Sequence, residues 1–428
     1  MTDHAALLAG ICAAPADDLV RLVYADWRED RGDTAYADFI RAQVRLDPLP
    51  PWHPEAVAAK YRTPPVITGA GFEAELPPGP ARGWEWPARG AFRRGLGYTV
   101  IVRDLTSFLD CADELFAHVP IGELHLPTST LDEWRRFARR PWLPRIESVR
   151  FYGVSTPIEP LRVLCDSPAA TGLTRIAFEK AGGPAVPVLL ADLFETPLGR
   201  QLKRLELHAG ADHGLEWLEA LEGVGPGHAL DELALVTMGL TGEAVRRFDE
   251  LPLLSGLRGL ELRNNDLVTN DYDGMAFTGR GLIHLEVLQI KSAQCSIQPH
   301  NLAEWATNLR SLRQIDLNNT HLEEWPTTSF PHLATIQLQR CRASLPHTVI
   351  EPLHVGGVWP RLVELDLRGN DFGPASQRVY LDPEAPPGLA ALVFDAWLAH
   401  DSIGGRLREK YGDAVVFDDL DWRREPGA

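Results

Sequence analysis

Apolar residues recur at fixed spacings along most of this chain. In the stretch 257–267, leucine occupies the first, fourth, sixth and eleventh places, and Asn265 occupies the ninth. Places four and six alternate with polar residues, as they do in a short strand that buries one face. An asparagine at place nine can turn the chain and bond backbone groups that no longer have strand partners. The pattern therefore predicts a buried strand followed by a tight turn.

The same spacing returns along the chain, closely from Leu312 and Leu362 and more loosely elsewhere. The intervals between copies run from 21 to 29 residues, which is too regular for chance matches. We predict about ten repeats over residues 121–373. They begin at Ile121, Ile146, Leu173, Leu202, Leu230, Leu257, Leu285, Leu312, Leu333 and Leu362.

The repeated pattern resembles the leucine-rich-repeat consensus, L-x-x-L-x-L-x-x-N/C-x-L. The resemblance implies an α/β fold: a solenoid curved like a horseshoe, with a parallel sheet inside and helices outside. The alternative is a set of ordinary strands in a mixed α/β domain. The longer intervals leave room for outer helices, which we predict at 188–194, 215–221, 242–250 and 303–309. The short interval after Leu312 contains Pro326 and Pro331 and predicts an extended or 3₁₀ connection.

Both ends of a repeat array need atypical caps, because an end repeat has no neighbour to cover it. For the N-terminal cap, residues 91–120, the sequence predicts a strand over 96–102 and a helix that begins at a capping box of Ser107 and Asp110. For the C-terminal cap, residues 374–428, it predicts a helix over 389–398 and a strand over 414–417.

Residues 1–47 predict three short helices, the first over 3–13. Asp17 or Asp18 can cap the second helix, and Asp33 or Thr34 can start the third. The second helix carries carboxylates beside arginines, namely Asp26, Glu29 and Asp30 with Arg21, Arg28 and Arg31. Neighbouring carboxylates suit acid/base catalysis, but we interpret these charges as a solvated face with i,i+4 pairs.

The same segment resembles the small bacterial repeat-companion domain, which typically precedes leucine-rich repeats. The resemblance rests on the run 24–27 (YADW), on Gly32 and Asp33, and on Phe39, Ile40, Arg41 and Gln43. It implies a helical module partnered with the repeats of a bacterial protein. The resemblance brings no catalytic residues.

Residues 48–90 are rich in proline and glycine, and we interpret them as a connector that cannot sustain long helices or central strands. The connector contains four aromatic residues, Trp52, Phe72, Trp84 and Trp86. They either pack on a neighbouring surface or form a binding patch.

The net charge, the cysteines and the sequence motifs argue against several classes of function. The formal net charge of −17 opposes nonspecific nucleic-acid binding. The five cysteines contain no CxxC pair, so we expect buried thiols rather than a zinc site or a disulfide framework. Asn270, Asp271, Asp273 and Gly274 resemble part of a calcium loop, but Arg280 stands where that loop requires glutamate. We expect no metal or cofactor, no membrane span and no secretory signal, which is consistent with a cytoplasmic protein.

Places five and seven of the repeats predict a polar face, because their side chains point away from the core. The candidate partner-binding residues on this concave face are Arg150, Tyr152, Glu206, His208, Glu261, Arg263, Gln289, Lys291, Asp316, Asn318, Gln337, Gln339, Asp366 and Arg368. In the C-terminal half they form a stripe of acids and amides beside a stripe of basic residues and amides. The stripes either neutralise each other or offer hydrogen bonds to a docked protein.

These observations favour a monomeric, non-enzymatic scaffold that binds a protein partner on the concave face. The alternative is a regulatory or sensor subunit of a separate enzyme or defence effector, which docks through its N-terminal helices. A third interpretation gives the chain its own catalytic activity. That activity would require a reactive cysteine in a catalytic domain, and none of the five thiols lies in such a context.

Overall fold

A computed structural model of the chain describes residues 3–62, 72, 76, 83–88, 90–152, 158–179, 190, 192–208, 214–224, 228, 230–265, 267, 277–292, 295–341, 346–370 and 384–418. These residues form a mixed α/β structure in which most strands are parallel. The chain divides into two compact units: Met1–Pro50 with Arg62–His208, and Pro51–Tyr61 with Ala209–Ala428. Within the described ranges, no helix is long and apolar enough to cross a membrane.

Short helices and short strands alternate through most of the chain. The helices are α1 (Asp3–Ala13), α2 (Asp18–Glu29), α3 (Thr34–Leu46), α4 (Pro54–Arg62), α5 (Leu105–His118), α6 (Leu131–Phe137), α7 (Ile158–Cys165), α8 (Pro197–Gln201), α9 (Gly214–Glu222), α10 (Gly242–Arg246), α11 (Pro299–Asn308), α12 (Glu351–Val355) and α13 (Ser402–Tyr411). The strands are β1 (Trp84–Glu85), β2 (Phe92–Arg93), β3 (Leu96–Gly97), β4 (Thr99–Val102), β5 (Glu123–Pro127), β6 (Ser148–Tyr152), β7 (Arg175–Phe178), β8 (Arg204–His208), β9 (Glu232–Val236), β10 (Gly259–Arg263), β11 (Val287–Lys291), β12 (Ser296–Ile297), β13 (Gln314–Asp316), β14 (His321–Leu322), β15 (Thr335–Gln337), β16 (Glu364–Asp366), β17 (Ala391–Phe394) and β18 (Val415–Phe417).

The first unit begins with the three predicted helices, α1 to α3. Asp17 accepts a hydrogen bond from the Leu19 N–H at 2.9 Å and caps α2. Asp33 accepts one from the Tyr36 N–H at 3.3 Å and caps α3. An aspartate that satisfies a free N–H in the first turn is a favoured helix start. The sequence prediction of both starts is therefore confirmed.

Aromatic residues of the connector pack on these helices. The Phe72 ring lies 4.6 Å from the Phe39 ring, measured between centroids, and Trp86 packs against the same core. Trp84 is buried, and its ring centroid lies 5.3 Å from that of Trp86. For these three aromatics the structure favours packing over a binding patch.

The charged residues of α2 differ partly from the prediction. The carboxylates of Asp26 and Glu29 are exposed, as expected of a solvated face, but both pair with Arg41 of α3, at 2.6 Å and 2.5 Å. Arg21 is buried and donates to the Pro15 carbonyl at 2.6 Å. The expected i,i+4 pairing was wrong because the α2–α3 contact brings a better placed arginine to the carboxylates.

The sheet of the first unit contains β4 to β8 as parallel neighbours, with β1 antiparallel to β4. Place-four side chains lie side by side across it and are buried: Leu124, Val149, Ile176 and Leu205, with Val100 in the same row. The predicted strand over 96–102 is interrupted, since β3 pairs with β2 and a new strand begins at Thr99. The N-cap of α5 is Asp104, which accepts the Ser107 N–H at 2.7 Å, so the predicted start at Ser107 was wrong.

The sheet of the second unit consists of β9, β10, β11, β13, β15, β16, β17 and β18, each parallel to the next. Its place-four side chains pair directly from strand to strand. They are Leu233, Leu260, Leu288, Ile315, Ile336 and Leu365, and each is at most 1% exposed. The predicted register of these strands is confirmed.

Five of these strands, β9, β10, β13, β15 and β16, are followed by a turn at place eight. The residues there adopt left-handed backbone conformations, with positive φ at Thr237, Asn264, Asn319, Arg340 and Gly369. The Asn264 N–H donates to the Lys291 carbonyl of the next strand at 2.8 Å, and the Arg340 N–H donates to the Arg368 carbonyl at 2.9 Å. The turn therefore continues the backbone pairing beyond the ends of β10 and β15.

Place nine contains the predicted backbone-binding side chains. The amide of Asn265 donates to the Leu235 carbonyl at 2.9 Å. Asn370 has the corresponding role: its amide donates to the Leu338 carbonyl at 2.6 Å and its oxygen accepts the Cys341 N–H at 2.8 Å. The prediction that place nine satisfies buried backbone groups is confirmed.

The outer connections follow the predictions in part. α9 and α10 lie where helices were expected, and Thr241 caps α10 through the Ala244 N–H at 3.3 Å. α11 begins at Pro299, earlier than expected, and the interval after Leu312 contains no helix, as predicted. The proposed helix 188–194 lies partly outside the described residues, and the segment 270–274 lies entirely outside them.

The C-terminal cap differs from its prediction. Residues 389–398 contain the strand β17 and the start of a 3₁₀ turn, Ala396–His400, instead of a helix. The following strand, β18, lies where it was expected. All four residues of β17 are buried, and a continuous apolar run of this kind cannot be distinguished from a buried helix by its period.

Candidate protein-binding face

The connector contains a nine-residue helix, α4, which the proline-rich composition did not predict. The proline at its start, Pro54, has no N–H to leave unsatisfied there, and the residues that follow are good helix formers. Val57, Lys60 and Tyr61 have the spacing i, i+3, i+4, so they share one face of the helix. This face of α4 contacts the sheet of the second unit.

The apolar part of this contact is centred on Val57, which is 1% exposed. It packs in a cluster with Val363, Ala390, Ala391 and Val393. Ala391 and Val393 are register partners of Glu364 and Asp366 on β16. α4 therefore covers part of the odd-place face, which we define as the side chains at places three, five and seven of the second unit's strands; the covered part lies at β16 and β17.

The polar part of the contact consists of Glu364 and Asp366, here called the carboxylate pair. Their side chains are 2% and 0% exposed. The Tyr61 hydroxyl donates to Glu364 Oε1 at 2.5 Å and lies 3.1 Å from Asp366 Oδ2. Lys60 Nζ lies 2.7 Å from Glu364 Oε1. Two residues of α4 thus supply charge and hydrogen bonds to carboxylates that would be costly to bury alone.

Side chains of the sheet complete the surroundings of the carboxylate pair. Gln337 Nε2 donates to Glu364 Oε1 at 3.1 Å, and Gln339 Nε2 donates to Asp366 Oδ2 at 2.7 Å. Arg368 donates to both oxygens of Asp366, at 3.0 Å and 2.7 Å. This two-point contact gives a strong, charge-assisted pair.

The protonation states follow from this geometry. Burial raises the pKa of Tyr61 well above its usual value, and the charges of Asp366 and Glu364 raise it further, so the hydroxyl keeps its proton. Burial lowers the pKa of Arg368, but its hydrogen bond and charge interaction with Asp366 outweigh burial and leave the pKa raised. Tyr61 is therefore a donor to the carboxylate pair, and Arg368 is its fixed cation.

Two further residues of the predicted binding face are buried, Asp316 at the end of β13 and Asn318 just after it. Asp316 is 1% exposed and accepts from Lys291 Nζ at 2.9 Å and from the Asn318 N–H at 3.1 Å. Burial raises the pKa of Asp316, and the charge and hydrogen bond of Lys291 partly offset that rise. Asn318 accepts the Gln339 N–H at 2.7 Å. The Lys291 ammonium and two backbone N–H groups therefore satisfy these side chains within the face.

The odd-place face is more open at β10 and β11. Glu261, Arg263, Gln289 and Lys291 are half-buried. Arg263 Nε donates to Glu261 Oε1 of its own strand at 2.9 Å. The charges here are available to solvent at their edges, but they already have oppositely charged partners.

The remaining candidates lie in the first unit. Arg150 donates to both oxygens of Glu206, at 3.0 Å and 3.2 Å, and His208 Nε2 lies 2.7 Å from Glu206 Oε1. Tyr152 donates to the Val102 carbonyl. Burial raises the pKa of Glu206, but the hydrogen bond with His208 and the charge of Arg150 outweigh it, so the pKa is well below its usual range. Glu206 is 7% exposed, which makes it part of a buried charge network.

The interpretation that places five and seven face solvent was wrong for six of the fourteen candidates. The buried ones are Glu206, Asp316, Asn318, Gln337, Asp366 and Arg368, at 9% exposure or less, and the other eight are half-buried. This burial has two causes in the second unit. Helix α4 packs on the face, and oppositely charged side chains that lie next to each other on the sheet form pairs. Of the two interpretations of the stripes, mutual neutralisation describes Lys291 with Asp316 and Arg368 with Asp366.

Two polar atoms on the covered face have no hydrogen-bond partner in the described part of the chain. They are Gln314 Oε1 and Thr335 Oγ1. Gln314 is 6% exposed, Thr335 is 0% exposed, and both lie at place three, in the row that continues to Glu364. A buried acceptor or hydroxyl without a partner destabilises the arrangement that buries it.

Burial disfavours the reactive thiolate form of three of the cysteines. Cys341 is buried and donates to the Leu317 carbonyl at 3.1 Å, and burial raises its pKa to about 12. Burial also raises the pKa of Cys12 and of Cys165. Within the same ranges, no group of three or more side chains is arranged to hold a metal ion.

Sequence reasoning missed the α4 residues that contact this face. Val57, Lys60 and Tyr61 lie in a segment whose composition indicated a connector, and Glu364 occupies place three, which was not among the places assigned to binding. The i, i+3, i+4 spacing in the proline-free run 55–62 was the available signal.

A scan of the chain against models of protein families finds no match, and a search of curated proteins finds no relative.

Proposed function

We propose that the protein is a non-enzymatic interaction module of the leucine-rich-repeat type, which binds a helical segment of a partner protein on its odd-place face. The observation that carries this proposal is the contact of α4 with that face. Val57 fills an apolar patch, and Tyr61 and Lys60 meet buried carboxylates. A surface that holds one amphipathic helix has the chemistry to hold another.

The repeat architecture is part of the same proposal. Its support is the row of place-four residues in register, the left-handed residue at place eight and the backbone-binding asparagine at place nine. These are the features expected of a curved solenoid, and the helices α1 to α3 are what a helical companion domain requires. A bacterial, cytoplasmic scaffold is the setting we infer from the sequence.

Site-specific photo-crosslinking tests the proposal. A photoreactive phenylalanine analogue replaces Gln289 or Gln339, both half-buried on the odd-place face, or Thr307, which is exposed on α11. We expect partner adducts in native lysate at the two face positions and none at Thr307, with the crosslinked segment identified as a helix-forming peptide. Equal adducts at all three positions, or adducts at Thr307 alone, would contradict it.

A specific observation favours a second candidate, docking through the N-terminal helices. Leu19 and Val23 of α2 are 67% and 46% exposed, and they lie four residues apart on one side of the helix. Exposed apolar neighbours of this kind mark contact surfaces more often than isolated ones. Replacing both with serine should abolish partner capture if α2 is the docking site and leave it unchanged if the odd-place face is.

A further inference from the structure

We propose that α4 is a tethered, replaceable occupant of the odd-place face, and that the partner is an amphipathic helix that carries a small apolar residue followed at i+3 and i+4 by a cation and a tyrosine. This inference rests on the proposed function and specifies its partner and its regulation. In α4 the three positions are Val57, Lys60 and Tyr61, and each has a counterpart on the face.

The recognition chemistry is specific. The carboxylate pair requires a donor that keeps its proton, which the Tyr61 hydroxyl supplies at 2.5 Å and 3.1 Å. It also requires a cation, which Lys60 supplies at 2.7 Å while its own side chain remains 44% exposed. Arg368 lies 5.8 Å from the centre of the Tyr61 ring, so the ring also contacts a cation of the sheet. A phenylalanine or an acidic residue would leave the buried carboxylates without these partners.

Two observations indicate that α4 is held weakly enough to be replaced. It has nine residues, and helices of that length are marginal without tertiary support. In addition, Gln314 Oε1 and Thr335 Oγ1 on the same face are buried without a hydrogen-bond partner among the described residues. A competing helix with an amide or hydroxyl side chain facing these atoms would satisfy them and gain affinity that α4 lacks.

The tether determines how the exchange is regulated. A segment connected to its own binding face has an effective concentration in the millimolar range, so a free copy of the same helix cannot compete at micromolar concentration. Only a helix with extra contacts displaces α4. α4 therefore covers the face until a partner helix is present that makes more contacts with the face than α4 does.

The first test is limited trypsin digestion of the full-length protein under native conditions, which cuts after Lys60 when α4 leaves the face. The variant Tyr61→Phe keeps the ring but removes both hydroxyl contacts, so cleavage at Lys60 should accelerate about tenfold. The matched control is Tyr36→Phe, which removes a buried hydroxyl bond to the Gly95 carbonyl at 2.9 Å. It should leave cleavage at Lys60 within about twofold of the parent. Equal acceleration in both variants would overturn the inference.

The second test uses a fluorescent peptide of residues 51–62 as the probe. In the full-length variant Val57→Asp, a carboxylate disrupts the chain's own α4 without altering the sheet. We expect the peptide to bind this variant at least tenfold more tightly than the parent, and to lose that affinity when Glu364→Gln is added. The control Val23→Asp, at an exposed valine of α2, should behave as the parent.

The outcomes separate this inference from the proposed function. Equal peptide binding to the parent and to Val57→Asp, or no binding to a Val57→Asp protein that melts cooperatively, overturns the tethered occupant. If crosslinks at Gln289 and Gln339 still capture a partner, the binding face stands without it. Elution of the parent as a dimer, with cleavage at Lys60 that accelerates on dilution, would assign the face to α4 of a second copy and overturn the tethered form.

Discussion

The side chain of Asn265 accepts a hydrogen bond from the Met238 N–H of the preceding repeat at 2.9 Å. The same oxygen lies 3.3 Å from the Leu240 nitrogen, and the amide donates to the Leu235 carbonyl. One buried side chain therefore bonds three backbone groups of the preceding repeat, at the end of β9 and in the turn after it.

Replacing this asparagine tests that role. Asn265→Ala should lower the free energy of unfolding by about 3–5 kcal/mol, because several buried backbone groups lose a hydrogen-bond partner at once. Urea unfolding followed by circular dichroism measures the change. The control Asn308→Ala removes one bond, from its amide to the Thr278 carbonyl at 2.8 Å, and should cost about 1 kcal/mol. Similar losses in both variants would contradict the proposed role.

Truncation of place-four residues tests the core. Leu260 and Ile315 are 1% and 0% exposed. We expect Leu260→Ala and Ile315→Ala each to destabilise the protein by about 2–5 kcal/mol, since each leaves a cavity between packed strands. Melting curves that coincide with the parent curve would refute the register at these two strands.

The left-handed residue at place eight offers a stabilising change. Thr237 has φ of 53°, a conformation that β-branched residues disfavour, and its side chain is exposed. Thr237→Asn should raise the free energy of unfolding by about 1 kcal/mol, because asparagine tolerates this conformation and no side-chain packing is lost. The control Thr328→Asn, at an exposed threonine without positive φ, should change nothing. A decrease at Thr237 would argue against strain at that turn.

The network around Glu206 predicts a dependence of stability on pH. The pKa of Glu206 is depressed in the folded protein, since His208 and Arg150 outweigh the effect of burial. Its ionised form therefore stabilises the fold above the unfolded-state pKa of about 4.3, and that contribution is lost as the pH falls through the folded-state pKa. The difference in urea midpoint between the parent and Glu206→Gln should be largest near pH 7 and shrink below about pH 5. Glu219→Gln, at an exposed glutamate, is the control. A difference that stays constant to pH 3 would contradict the network.

Local pattern was sufficient to predict the strand register and the helix starts of the N-terminal segment. Leu260 and Asn265 have roles that depend on neighbours at a fixed spacing, and Asp17 caps a helix two residues away. Such contacts are encoded within one repeat length, so periodicity and capping preferences reveal them.

The failure at residues 389–398 has a different cause. A strand buried on one face alternates apolar and polar residues, but Ala391 and Val393 of β17 are apolar because Val57 of α4 covers their side. A strand buried on both faces gives a continuous apolar run, which cannot be distinguished from a buried helix by period alone. The incorrect helix and the missed α4 are therefore consequences of one contact.

The candidate site was predicted least well, for the same reason. Tyr61 and Glu364 are separated by 303 residues in sequence, and no local spacing connects them. When α4 is not known, the repeat pattern predicts that side chains at places five and seven face solvent, although Asp366 is 0% exposed. Which side chains of the sheet are buried depends on the segment that packs on them. That segment, α4, is distant in sequence from the strands that it covers.

Because Cys341 is buried, the rate at which its thiol is alkylated measures how often the structure around it opens. Its thiol donates to the Leu317 carbonyl, and its raised pKa leaves almost no thiolate at neutral pH, so alkylating reagents cannot react while that region is closed. The half-exposed Cys111 is accessible to the same reagent in the native state. The ratio of the two labelling rates, measured by peptide mass spectrometry, therefore reports how often the strands around Cys341 separate. No cysteine has to be introduced for this measurement.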